Sequence, residues 1–121
     1  MVPFNPKKAE KEWGYEVWLA NNKDEDYCGK ILFIEQGKST SMHYHVDKHE
    51  TFYVIDGVLR VDMLRDKDKP EDHPFTMTCN EGESMEMERE QCHKLMATES
   101  NVTLIEISKF HRDEDSYRLY R

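Results

Sequence analysis

The stretch from Gly37 to Gly57, GKSTSMHYHVDKHETFYVIDG, constrains this chain more than any other. It sets His43 and His45 one residue apart, Glu50 five further on, and a glycine at each end. Residues i and i+2 of a β-strand face the same side, so both imidazoles can reach one ion. Glu50 opens a second apolar run, TFYVIDG, which can fold back beside the first and offer an oxygen to that ion. Downstream, His93 supplies a third imidazole. Three neutral histidines and one carboxylate suit a single divalent transition metal: iron, manganese, zinc, nickel or cobalt.

The rest of the chain is written in the same short-strand rhythm. EVWLA, YCGKILFIE, SMHYH, TFYVID, VLRVDML, FTMTC, SMEME, HKLMA and VTLIEIS are separated by turn residues, and RDKDKPEDHP (65–74) reads as a charged hairpin loop. Nine or ten short strands with turn signals between them predict a sandwich or barrel. No run has helical period over a useful length, and KKAEKE (7–12) forms a turn at most. The fold class is all-β. At 121 residues the chain makes a single domain. We expect an N-terminal arm over 1–15, a barrel over 16–109 and a C-terminal tail over 110–121.

Charge and cysteine usage narrow the function classes. A net charge of −8 argues against nucleic acid, whose binding depends on neutralising phosphates, and against anionic membrane surfaces. No segment approaches the ~20 apolar residues of a membrane span, and MVPFNPKKAEKEW has no apolar signal core. Cys28, Cys79 and Cys92 are odd in number and widely spaced, which does not make a disulfide framework. The expected setting is the cytoplasm.

The spacing of the opening stretch resembles the first cupin motif: glycine, five residues, His-x-His, four residues, Glu, six residues, glycine. The second cupin motif runs from a glycine through Pro-x-Gly to a histidine and an asparagine. Gly82 and His93 stand at the right separation, but Glu88 and Glu90 replace the proline and glycine, and Ala97 replaces the asparagine. The resemblance implies a double-stranded β-helix, a jelly-roll barrel whose metal is held near the open end by His43, His45, Glu50 and His93. Strand alternation turns Cys92 away from that metal, and His49, His73 and His111 are read as ordinary histidines.

Two flanking segments resemble the type II mannose-6-phosphate isomerase group of cupins: WGYEVW (13–18) and the closing IEISKFHRDEDSYR. That resemblance implies a sugar or sugar-phosphate substrate and an aldose–ketose isomerase. Glu106 is then a candidate base, held inside the barrel, with Lys30 and Tyr27 as candidate substrate-binding residues. Phosphate would call on Lys30, Lys38, Arg60 or Arg89. A metal-dependent dioxygenase is a different class built on the same ligands. So is a lyase of the dimethylsulfoniopropionate-cleaving type, which needs a metal-adjacent tyrosine; alternation turns Tyr44 and Tyr53 outward. A non-catalytic metal- or ligand-binding module is the fourth reading. Exposed β-edges need cover, so a homodimer is expected, with Phe4, Trp13 and Trp18 of the arm crossing to the partner.

Overall fold

A computed structural model describes all 121 residues. Eleven strands form in chain order: β1 (Lys7–Lys11), β2 (Gly14–Asn22), β3 (Tyr27–Ile34), β4 (Met42–His45), β5 (Glu50–Asp56), β6 (Leu59–Leu64), β7 (Phe75–Cys79), β8 (Ser84–Met87), β9 (Cys92–Met96), β10 (Val102–Ser108) and β11 (Ser116–Tyr120). They make two antiparallel sheets, one in the order β1-β2-β3-β10-β5-β8 and the other β11-β4-β9-β6-β7. No helix is long and apolar enough to cross a membrane. The loop at 65–74 joins the antiparallel pair β6 and β7, as its charged, proline-containing sequence predicts.

Alternation decides which residues meet between the sheets. On β3 every second residue from Cys28 is buried, and β5, β6 and β10 begin with the same alternation. The register stacks these inward residues into rows across β3, β10 and β5. Ile34 lies opposite Val102, and Leu32, Leu104 and Val54 form the next row. The row after that is Lys30, Glu106 and Phe52, followed by Cys28, Ser108 and Glu50. The inner face thus changes from apolar to charged partway along the strands. Its apolar half joins Leu59, Val61, Leu95 and Met87 in the main core. Each such side chain contributes roughly 1.5–3 kcal/mol by leaving water. The charged half is left for the site.

Both chain ends depart from the expected arm and tail. Lys7–Lys11 is a strand, not a turn, and pairs with β2 as an edge hairpin. Its alternating charges suit an exposed edge, and Lys7 and Lys8 lie over the rings of Trp18 and Tyr15. Trp13 packs against the main core, leaving only Phe4 of the three arm aromatics free. Ser116–Tyr120 pairs with β4 and closes the second sheet.

Two turns show what the motif glycines do. Gly57 has φ +90°, and a Cβ there would meet Asn101 O at 2.1 Å. Both facts demand glycine. Glu90 keeps a left-handed φ of +63° at the position where the second motif has its glycine. The turn survives the substitution, with a non-glycine residue in a backbone state that costs about 1–2 kcal/mol. Its N–H donates to His45 O at 2.7 Å, which ties the turn to the strand bearing the histidines.

Candidate metal centre

His43, His45 and His93 come together from β4 and β9 of the five-stranded sheet, where His43 and His93 are register partners. Their ligand nitrogens all lie within 4.8 Å of one another. Each ring is aimed by the backbone. Nδ1 donates to Ser41 O at 2.8 Å in His43, to Asp115 O at 3.0 Å in His45, and to Gln91 O at 2.9 Å in His93. A carbonyl oxygen only accepts, so the proton of each neutral ring sits on Nδ1 and each Nε2 presents a lone pair. Burial, followed by the neighbouring His93 and His45, lowers the His43 pKa to about 3. Burial is also the main cause that lowers His45 to about 4. Both rings are neutral and ligand-competent at pH 7.

Glu50, at the start of β5, reaches this cluster from the opposite sheet. Its Oε1 lies 3.7 Å from His45 Nε2, and its Oε2 lies 3.3 Å from His93 Nε2. The shorter contact would be a hydrogen bond if His93 Nε2 carried the proton, but the Gln91 carbonyl holds that proton on the other nitrogen. Glu50 Oε2 is therefore a buried oxygen with no hydrogen-bond partner. Burial pushes the carboxyl up, and the Lys48 ammonium at 3.1 Å from Oε1 pulls it down. Three imidazole lone pairs converge within 4.8 Å, and the Glu50 carboxylate approaches two of them, an arrangement that is mutually repulsive unless a cation lies between. The donor set fits a divalent transition metal.

The six-stranded sheet and two loops supply a second group of charges. Lys48, buried in the β4–β5 loop, donates to Glu50 Oε1 and Glu106 Oε2, both at 3.1 Å, and to His111 Nδ1 at 2.9 Å. His111 passes its Nε2 proton toward Asp113 Oδ1 at 3.0 Å, and burial with the nearby Lys48 lowers its pKa to about 4. Lys48 is raised, because the charges of Glu106 and Glu50 outweigh its burial. Glu106 is raised as well, by burial first and by the charge of Glu50 next. The loop itself is held by Asp115, whose carboxylate accepts from the backbone N–H groups of Val46, Asp47 and Lys48. Histidine cluster, Glu50, Lys48, Glu106, Lys30 and Glu16 all line one cavity of about 600 Å³.

The structure thus brings His43, His45, Glu50, His93, Glu106 and Lys30 to one cavity, and it excludes Tyr27. Alternation along β3 turns Tyr27 to the outer face, where it is 49% exposed. Lys38, Arg60 and Arg89 also fall outside. Lys38 pairs with Glu35, Arg60 with Glu99, and Arg89 donates to Asp47 O. Tyr44 stacks on Tyr117, and Tyr53 is exposed. Cys92 packs with Met42 and Leu64 away from the metal donors, and His49 makes a surface pair with Glu86. His111 was expected to be ordinary and is instead part of the cavity wall. Lys48, Glu16 and Trp18 went unread as site residues. Lys48 lies in the loop before β5, so strand alternation gave no signal for it.

No family model matches the sequence, and no curated protein matches it. Solved structures do. The capsular polysaccharide assembling protein CapF from Staphylococcus aureus superposes with a TM-score of 0.81 at 15% identity, over 98% of this chain and 35% of that one. Oxalate decarboxylase from Bacillus subtilis gives 0.78 at 16% identity, over 94% of this chain and 30% of that one. The formate complex of Lactobacillus farciminis oxalate decarboxylase gives 0.75 at 20% identity, over 94% and 34%. The chain spans about a third of the length of each. At these identities the likeness establishes the fold, a cupin jelly roll. Within it stands a three-histidine cluster of the kind that holds a divalent metal ion.

Proposed function

We propose that this cupin is a metal-dependent isomerase acting on a small, polar, sugar-like metabolite, with His43, His45, Glu50 and His93 as the metal ligands. The observation that carries the reading is Glu106, a buried carboxylate of raised pKa in the same cavity as the metal donors, fixed there by Lys48. A bound divalent ion would polarise the substrate carbonyl. Glu106 then takes the proton from the carbon next to that carbonyl and returns it to the carbonyl carbon. The hydroxyl proton of the neighbouring carbon passes to the former carbonyl oxygen and leaves a new carbonyl at that neighbouring carbon. Lys48 orients this base and offsets its charge. It does the same for Glu50, so the two carboxylates share one ammonium without colliding. A tyrosine-based lyase has less support, because Tyr27, Tyr44 and Tyr53 lie off the cavity.

The test is interconversion of aldoses and ketoses by metal-reconstituted protein in D2O. Solvent deuterium should appear at the carbon that receives the proton. Glu106→Gln should lower turnover about 10²–10⁴-fold, the range for loss of a general base, while retaining metal. Turnover within a few-fold of wild type would remove Glu106 from the reaction.

Two further readings belong here. The outer face of the six-stranded sheet carries Val17, Ile31, Phe33, Tyr53, Ile105 and Ile107 in adjoining register, an apolar face that a second copy of the chain would cover. A dimeric mass in solution is expected, and a monomer at micromolar concentration contradicts it. Three free, buried cysteines support a reducing, cytoplasmic setting.

A further inference from the structure

One charged group in the cavity has no task in the reaction above. Lys30 is only 2% exposed, and its side chain points inward from β3 to line the cavity. None of its three N–H groups has a hydrogen-bond acceptor in the protein. The nearest carboxylate oxygen, Glu16 Oε1, lies 3.9 Å away and already accepts from Trp18 Nε1 at 3.0 Å. The ammonium rests over the Trp18 ring, 4.2 Å from its centroid. Glu106 is its register partner on β10, yet the two heads do not touch, because Glu106 Oε2 is taken by Lys48. The ammonium therefore faces the cavity without a protein acceptor, and an oxygen of a bound molecule would supply one.

We propose that Lys30 and Glu16 read a hydroxyl group of the substrate, and that the substrate is an unphosphorylated sugar or polyol, not a phosphate ester. The proposal rests on the isomerase reading of the same cavity and names its substrate class. A hydroxyl can accept from Lys30 and donate to a carboxylate at once, which suits a cation with an acid on either side. A phosphate placed there would face Glu16 and Glu106 and gain only one ammonium, since Lys48 already serves two carboxylates. Phosphate has few other takers. Lys38, Arg60 and Arg89 lie outside the cavity. At its rim Arg121 pairs with Glu12, and Lys11 and Arg118 are exposed to water, where an ionic contact is screened.

The experiment is a calorimetric titration of the metal-loaded protein. Mannose, fructose, xylose and sorbitol are set against mannose 6-phosphate and fructose 6-phosphate. At least one unphosphorylated compound should bind about tenfold tighter than either ester. Lys30→Met should weaken that binding by about tenfold or more, the worth of a hydrogen bond from a charged donor. Glu16→Gln should weaken it several-fold, and both variants should keep the wild-type metal content, which also shows that they fold. Tighter binding of the esters, no binding of any unphosphorylated compound, or an unchanged affinity in both variants would overturn the proposal. Binding without interconversion would retire the isomerase reading and leave this one standing. Interconversion of the esters alone would do the reverse.

Discussion

The two sheets bring different chemistry to one cavity. From the five-stranded sheet come three imidazoles, each aimed by a hydrogen bond to a backbone carbonyl. The six-stranded sheet contributes Glu50, Glu106, Lys30 and Glu16, and these charges are placed largely by one another and by Lys48 from a loop. The histidine wall is therefore a set of separate, backbone-fixed donors. By contrast, the charged wall is a network in which one side chain serves several. Loss of a single member should stay local on the first wall and spread on the second.

The sharpest way to break that contrast is Lys48→Met. Removing the ammonium leaves Glu50 and Glu106 buried without a counter-ion, which should cost the metal-free protein about 3–5 kcal/mol in urea unfolding. Saturating metal should recover part of the loss, because Glu50 then has a cation again. An unchanged midpoint would mean that Lys48 does not hold the charged wall together.

Acid probes the histidine wall. His43 and His45 are held at about 3 and about 4, against a usual 6.5, so between those values the folded chain binds fewer protons than the unfolded one. A depressed folded-state pKa gives stability that is complete above the unfolded value and is lost as pH falls toward the folded one. The unfolding midpoint of metal-free protein should fall steadily from about pH 6.5 to about pH 4, and Asp115, also depressed, should extend the decline below its usual 3.8. A flat midpoint over that range would show rings that are not buried neutral. The smallest effect concerns the turn beneath this wall. Glu90→Gly relieves a left-handed φ of +63° and should raise stability by about 1 kcal/mol, or a melting temperature by about 4 °C. A lower melting temperature would show that the Glu90 side chain contributes more than its backbone costs.

The two walls also differed in how much their sequence disclosed. His43 and His45 are legible because they alternate on a short strand, and Glu50 and His93 because the motif fixes their spacing. An all-β sandwich or barrel followed from the same alternation, and the jelly roll from the resemblance to the cupin motif. Lys30 and Glu106 are harder, since KILFI and VTLIEIS are apolar at every neighbouring position and alternation cannot say which side is inward. Only the register resolves it, by placing the two opposite each other. Lys48 and His111 sit in loops, where no period applies. Their meeting depends on Asp115, 67 residues beyond Lys48 in the chain, which accepts the Lys48 backbone N–H. The chain ends were misread for a related reason. β1 and β11 are short edge strands whose pairing is set by the neighbours they reach.

The central claim is that His43, His45, His93 and Glu50 together hold one metal ion. Elemental analysis of purified protein, wild type beside His45→Ala and Glu50→Gln, tests it most directly. The account predicts close to one transition-metal ion per wild-type chain and a sharp loss in each variant, with folding retained by circular dichroism. Near-stoichiometric metal in both variants, or none in a wild-type protein reconstituted with iron, manganese, zinc, nickel and cobalt in turn, would contradict it.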